Sequence, residues 1–346
     1  MKKKITYKDA GVDIAKADDV ISLSKNKIQE TFNKNVLSSI GGFGSMYSIK
    51  DILQEFKDPV LVQSIDGVGT KTIIARKLQK YDTIGIDLLS ACANDILVMG
   101  AKPLTFLDYI ANEKLHPGVV EEIVSGMVQG CRETGVSLVG GETAEMPDTY
   151  LKGEHDLVGV ITGVVEKDKI ITGEKIQPGD IVLGLPSNGL HTNGYSLARK
   201  VFFDIGNCNV NDEIPGLKKS VGLTLLEPHI NYTKHVFELL NSNIPVKGIA
   251  HITGGGLLEN IPRILPDGLS ITIKKKSWPS LPVFSCIQSI GEIEQKEMFR
   301  TFNMGIGMVF VLDKEHISAV NTALEKHSKV YEIGHVVLGD KAVQLK

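Results

Sequence analysis

The sequence predicts a mixed α/β protein, α+β in part, built of two domains. Three observations predict it. Short apolar or β-branched runs alternate with helical stretches along the whole chain. At about 100–200 residues per domain, a chain of 346 residues is long for one core. Between residues 166 and 180 the texture becomes charged and rich in turn residues. That stretch places a boundary near residue 170, with domains at 1–170 and 171–346.

In the first half, residues 60–65 read as a strand between Pro59 and the turn signal Asp66-Gly67. Residues 86–99 read as a helix stopped by Gly100, with Pro103 beyond. A strand is expected at 104–110. An amphipathic helix at 118–134 closes at Gly135, a good residue for the left-handed position that ends helices. Strands follow at 136–139, running into Gly140-Gly141, and at 157–165, which is rich in β-branched residues. The second half restarts with a strand at 181–185. Helices are read at 195–205 and 229–240, the latter with Pro228 at or near its first turn. One strand ends near His251 and a helix follows Gly256. Further strands are read at 269–273, 306–312 and 330–338. Gly41-Gly42-Phe43-Gly44 reads either as a mobile flap over a ligand or as a flexible linker.

Composition excludes several classes. With 42% hydrophobic and 23% charged residues the chain has enough apolar material to fold. A net charge of −3 offers no global attraction for nucleic acid or an anionic membrane. No apolar run approaches the ~18 residues of a membrane span. The N-terminal lysines (Lys2, Lys3, Lys4) are not followed by the apolar stretch of a signal peptide. Cys92, Cys131, Cys208 and Cys286 form no C-x-x-C pair and read as small apolar residues in a reducing compartment. A cytoplasmic protein is expected. Glycine is the outlier, with 35 residues against a usual share of about 7%.

The glycines mark the segments that carry chemistry. Asp66-Gly67-Val68-Gly69-Thr70-Lys71 follows a strand but fails the P-loop pattern, because Thr70 stands where a glycine should precede the lysine. An acid, two glycines and a lysine suit a metal-bridged phosphate; a glycine turn with a solvated lysine is the plainer reading. Asp87, Asn94 and Asp95 fall on one narrow face of an otherwise apolar helix. Either a divalent cation satisfies them, or Asp87 caps the helix and Asn94 pairs with Asp95. Gly140-Gly141-Glu142 delivers a third acid from a strand end. Asp66, Asp95 and Glu142 are then expected to form a Mg²⁺–triphosphate cage. In the second half, His191-Thr192-Asn193-Gly194 and His251-Ile252-Thr253-Gly254-Gly255-Gly256 each run from a strand through glycines into a helix. Such turns read as anion-binding helix starts or as tight packing of helix on strand.

Taken together, these motifs, with Tyr7-Lys8-Asp9-Ala10-Gly11-Val12-Asp13, Gly85-Ile86-Asp87-Leu88, Ala144-Glu145-Met146-Pro147 and Thr301-Phe302-Asn303-Met304-Gly305, resemble the phosphoribosylformylglycinamidine cyclo-ligase family, also called aminoimidazole ribonucleotide synthetases. The resemblance runs from Tyr7 to about Gly334. It implies ATP-dependent ring closure of formylglycinamidine ribonucleotide to aminoimidazole ribonucleotide, releasing ADP and phosphate, in purine biosynthesis. It implies an N-terminal half-barrel sheet with outer helices that closes with a second copy, and a C-terminal mixed sheet with flanking helices. The implied cofactors are ATP and Mg²⁺, and the implied partners are the small-molecule substrate and a second copy of the chain. The candidate catalytic residues are His191, Lys71 and Asn193. The candidate phosphate-binding residues are Gly67, Gly69, Thr70, Lys71, Gly140, Gly141, Thr253, Gly254, Gly255 and Gly256. The candidate metal ligands are Asp66, Asp87, Asp95 and Glu142. A nucleotide-binding regulator without turnover is the alternative of a different class. One departure stands out: the family pattern Pro-Thr-[Arg/Lys]-Ile-Tyr appears as Pro228-His229-Ile230-Asn231-Tyr232, which removes a side-chain cation.

Overall fold

The computed structural model describes residues 5–11 and 13–346. Residues 1–4, on which the N-terminal reading rests, and Val12 of the first motif lie outside the described residues.

The first half runs α1 (Ile14–Gln29), α2 (Lys50–Glu55), β1 (Pro59–Gly67), α3 (Thr72–Leu78), α4 (Asp82–Leu97), β2 (Lys102–Asn112), α5 (Pro117–Thr134), β3 (Ser137–Glu145) and β4 (His155–Glu166). Its curled sheet has the order β1-β4-β2-β3, antiparallel except for the β2–β3 pair. A parallel pair needs a crossover, and α5 supplies it. α5 starts with Pro117 in its first turn and ends at Gly135 with φ +76°, as such residues dictate. α4 and α5 cover one face of the sheet. They cross where both are glycine: a Cβ on Gly85 would lie 2.1 Å from the Ile123 carbonyl oxygen.

The other face of this sheet is covered only in part, where Ile52 of α2 packs with Leu104 and Val164. Strand side chains alternate between faces, so β1 turns Val62 inward and leaves Leu61 and Ile65 exposed, joined by Leu107 of β2. One row of the register matters for the site: Asp66 of β1 pairs with Gly159, Gly159 with Asp108, and Asp108 with Gly141 of β3.

The second half runs β5 (Ile181–Pro186), α6 (Tyr195–Arg199), α7 (Val221–Leu225), α8 (Thr233–Asn241), β6 (Gly248–His251), α9 (Gly256–Asn260), β7 (Leu269–Ile273), α10 (Pro282–Gly291), α11 (Gln295–Thr301), β8 (Ile306–Leu312), α12 (Ile317–Leu324), β9 (Tyr331–Leu338) and β10 (Val343–Leu345). Its mixed sheet has the order β10-β7-β9-β5-β8-β6. β8 is buried at all seven positions, as its unbroken apolar run requires.

The core is continuous across the junction. Leu190, Tyr195, Phe202, Leu225 and Phe284 of the second half share one buried cluster with Ile74, Leu88 and Ile110 of the first. Among the described residues no helix is long and apolar enough to cross a membrane. All four cysteines are free, and Cys92 and Cys131 are buried.

Two elements differ from the sequence reading. The helix expected at 195–205 is α6 followed by a π-helical turn, Lys200–Ile205. The helix expected from residue 229 begins at Thr233. Residues 228–232 stay out of the helix because α4 takes their backbone donors. Asp87 Oδ1 accepts the His229 N–H at 2.7 Å and Asn94 Oδ1 accepts the Tyr232 N–H at 2.9 Å.

Candidate active site at the junction of the two halves

Three elements bring the site together: the end of β1, one face of α4 and the end of β6. β1 carries Ser64 and Asp66 on its helix-covered side. The Gly67 N–H donates to Asp66 Oδ1 at 2.7 Å. Burial pushes the Asp66 carboxyl above the ordinary range, the Gly67 N–H opposes it, and the nearby Asp95 charge adds to the rise. Asp95 Oδ2 accepts from the Ser64 hydroxyl at 3.1 Å, and its Oδ1 lies 2.8 Å from His251 Nδ1. Asp95 and His251 therefore pair at the wall between the halves, with Asp66 near enough to Asp95 to feel its charge. A cleft of about 490 Å³ opens there, lined by Ser64, Asp95, Met99, His251, Asn260 and Arg263 among others.

Behind this wall lies a stack of histidines. His191 and His229 are parallel with ring centroids 4.0 Å apart, and His229 Nε2 is 3.1 Å from His251 Nε2. Asn94 Nδ2 donates to the Ile230 carbonyl at 2.8 Å and faces His229 Nε2 at 3.2 Å. Because an amide nitrogen only donates, His229 Nε2 accepts. His251 Nε2 approaches that same nitrogen, while its Nδ1 faces Asp95. The role given to His229 Nε2 follows from the donors and acceptors around the rings. Burial, then the neighbouring His251 and Lys71 charges, hold the His191 imidazole well below its ordinary range. Burial drives His229 down too, with His191, His251 and Lys71 adding to it.

The third feature is a buried ion pair. Lys71 Nζ lies 2.8 Å from Asp87 Oδ2 and 2.9 Å from Oδ1, with both side chains fully buried. It also donates to the carbonyls of Glu227 at 2.6 Å and His191 at 3.2 Å. Burial pulls the lysine down and the aspartate up, and each charge opposes the shift of the other.

These placements redistribute the expected roles. Asp66 and Asp95 come together. Asp87 is neither a helix cap nor an available metal ligand, because Lys71 and the His229 N–H already satisfy it. Lys71 is held by Asp87 and two carbonyls and is not presented to a phosphate. Glu142 lies on β3, the opposite edge strand, three strand spacings from Asp66, or ~14 Å at ~4.8 Å per spacing. Among the described residues no three metal-ligating side chains gather in one chain, so the three-acid cage is not assembled within a single copy. His191 is fully buried with both ring nitrogens unpartnered, at φ +63°. It touches no cleft and is not offered as an acid or base there. Gly307 makes room for it: a Cβ at that position would lie 2.6 Å from His191 Cε1.

The remaining predicted residues fall in two groups. The 67–70 turn and the 191–196 segment face each other, with the Thr70 and Ser196 hydroxyls 3.4 Å apart. Asn193 adjoins the glycine turn, its Oδ1 being 3.2 Å from where a Gly254 Cβ would sit. At Gly256, however, a Cβ would sit 2.2 Å from the Phe299 carbonyl oxygen, and α9 spans only five residues. Packing on α11 accounts for that glycine. Gly141 is explained in the same way, since its Cβ would lie 2.2 Å from Asp108 Oδ1.

Sequence reasoning missed Asp108, His229 and Arg263, none of which sits in a glycine turn. Burial pushes the Asp108 carboxyl up to about 7, with the Glu142 charge adding to it. A raised native value means that the folded chain binds the extra proton. This stability is complete below about pH 4 and lost as pH rises through 7. Asp108→Asn is therefore expected to raise the melting temperature at pH 8 by ~5 °C relative to wild type, with little change at pH 4.5. Thermal melts at the two pH values check it.

A curled four-stranded sheet joined to a six-stranded mixed sheet is a fold shared with other solved structures. Thiamine-monophosphate kinase from Stenotrophomonas maltophilia K279a superposes with a TM-score of 0.70 at 17% identity, covering 95% of this chain and 96% of that one. The hydrogenase maturation protein HypE in complex with ATP superposes with a TM-score of 0.61 at 18% identity, covering 92% and 84%. More specifically, the chain belongs to the AIR synthase related protein family, matching its N-terminal domain over residues 52–165 and its C-terminal domain over 177–346. The phosphoribosylformylglycinamidine cyclo-ligase of Alkaliphilus oremlandii is 48% identical over 343 residues, 99% of this chain and all of that protein. The protein of the same name from Geotalea daltonii is 48% identical over 344 residues, 99% and 98% of the two chains.

Proposed function

We propose that the chain closes the imidazole ring of aminoimidazole ribonucleotide from formylglycinamidine ribonucleotide, at the expense of ATP. The observation that carries the reading is the pairing of Asp95 with His251 in a cleft between the halves, with Asp66 close to Asp95, in a chain 48% identical over 99% of its length to a cyclo-ligase. An amide oxygen leaves poorly, so the γ-phosphoryl is transferred to the formyl oxygen and ADP departs. The ring nitrogen then attacks the formyl carbon, the carbon–oxygen bond breaks, and phosphate and a proton leave.

Asp66 and Asp95 suit Mg²⁺, which needs few carboxylates and takes its other ligands from phosphate and water. When bound, Mg²⁺ would neutralise charge on the transferring phosphoryl group. Glu142 would join them only from a second copy. His251 orients Asp95, His229 faces His251, and His191 stacks on His229. The glycines of the 67–70 turn let backbone approach the phosphates. Asn193, in the segment that faces this turn, adjoins Gly254. Incubating the protein with Mg-ATP and the ribonucleotide, and following ADP and the aminoimidazole product, tests the reading. ADP without product would indicate a kinase-like relative, and neither would indicate a binding module. As an enzyme of purine biosynthesis it belongs in the cytoplasm.

We further propose a homodimer closed through the exposed part of the outer face of the first sheet. Leu61, Ile65 and Leu107 lie exposed there between the edge strands β1 and β3. Closing two half-barrels on each other removes both the apolar face and the edges. Ile65 is 66% exposed in the single chain. Ile65→Asp is expected to leave the fold intact and convert the dimer to monomer, read by light scattering after size exclusion. An unchanged mass would overturn this interface.

A further inference from the structure

Arg263 stands on the wall of the junction cleft, across from Asp95 and His251. It pairs with no carboxylate among the described residues. The acids near it in sequence are engaged elsewhere: Glu259 with Arg300 at 2.7 Å and Asp267 with Lys341 at 3.3 Å. Its one side-chain partner is an amide oxygen, Asn260 Oδ1, at 3.2 Å from Nη1. Asn260 is itself buried and fixed. Its Nδ2 donates to the carbonyls of Thr253, Gly254 and Gly256 at 3.0–3.3 Å, and its Oδ1 accepts from the Thr253 hydroxyl at 3.1 Å. A guanidinium held in place by a neutral group keeps its full charge and most of its donors for a ligand. A planar fork of donors fits two oxygens of a phosphate.

We propose that Arg263, set by Asn260, is the binding residue for the phosphate monoester of the ribonucleotide substrate. This rests on the cyclo-ligase reading above. The cleft contains two kinds of site for polyanions. Asp66 and Asp95 repel a bare phosphate and require a metal ion between. Arg263 attracts a dianion directly. A ribonucleotide offers one dianion, at the end of the molecule remote from the ring being closed. The apolar wall between, with Met99, Ile171 and Ile249, asks for no charge in the middle. Asn260 thereby gains a role as a positioning residue that couples the glycine turn to the guanidinium.

Arg263→Gln and Arg263→Lys test this in the full-length protein, with steady-state kinetics varying ATP and the ribonucleotide separately. Inorganic phosphate and ribose 5-phosphate serve as competitive probes. Loss of one charge-assisted pair is expected to raise the ribonucleotide KM about 10- to 100-fold, far more than kcat falls. The KM for ATP stays put, inhibition by ribose 5-phosphate weakens to the same degree, and Arg263→Lys recovers part of the loss. A shift in the KM for ATP instead would assign the guanidinium to the nucleotide triphosphate and overturn the proposal. Unchanged ribonucleotide KM with unchanged ribose 5-phosphate inhibition would overturn it as well. Wild-type protein that forms no aminoimidazole product would fail the cyclo-ligase reading itself, whereas a wild type with normal turnover beside an unaffected variant fails this inference alone.

Discussion

Asp95→Asn is expected to lower turnover by about two to four orders of magnitude while the protein stays folded. The substitution keeps the shape of the side chain and one oxygen. It removes the charge that would neutralise a metal ion and that holds His251 Nδ1 at 2.8 Å. Preorganised charge in a partly enclosed cleft accounts for losses of that size when it is removed. Asp95 sits on α4 with a third of its side chain exposed, so the change leaves no buried charge behind. The melting temperature should move little. The check is kcat at saturating substrates, together with a titration of Mg²⁺. If the carboxylate holds the metal, high Mg²⁺ should recover part of the rate. A variant with near-normal turnover would remove Asp95 from the metal site.

Lys71→Met is expected to cost about 3–5 kcal/mol of stability, the usual result of stranding one partner of a buried ion pair. The methionine matches the aliphatic stem of the lysine without its ammonium and leaves Asp87 facing only the His229 N–H. The paired change Lys71→Met with Asp87→Leu should recover most of the loss, because neither charge then remains buried. Denaturant unfolding of the single and double variants measures this. A lysine that served mainly to bind ATP would behave differently: the single change would leave stability alone and raise the KM for ATP. The two outcomes distinguish the ion pair from the phosphate role that the Thr70-Lys71-Thr72 sequence suggests.

How far the chain could be read before folding is instructive at particular residues. The strands at 269–273 and 306–312 are found where the apolar runs begin and end, because a fully buried strand carries its own signal. α5 was legible through Gly135 and its apolar stripe. The shared face of Asp87, Asn94 and Asp95 was legible from helical periodicity, but its division of labour was not. Asp87 meets Lys71 and Asn94 meets Tyr232 through a chain reversal that local spacing does not encode. The same reversal keeps residues 228–232 out of the helix that their composition favours. α1, α11 and α12 went unread because their apolar positions mix with polar ones and no glycine or proline frames them, as did the short α2, α3 and α7, while α10 went unread although Pro282 and Gly291 frame it. Glu142 illustrates the opposite error. Strand- and helix-borne acids look alike in sequence, yet Asp66 lies on one edge strand beside Asp95 of α4 and Glu142 lies on the opposite edge strand.

The continuous core has a consequence for how the protein can move. Domains that swing about a hinge have separate cores and a thin interface between them. Here Phe202, Leu225 and Phe284 are packed into the same cluster as Leu88 and Ile110, with Lys71 tying Asp87 to the carbonyl of Glu227 beneath it. Rotation of one half against the other would have to tear that cluster open. Motion that leaves the cluster intact is confined to segments outside it. The segment around Gly41, Gly42 and Gly44, with Phe43 projecting fully into solvent, has no such attachment and can move without disturbing the frame.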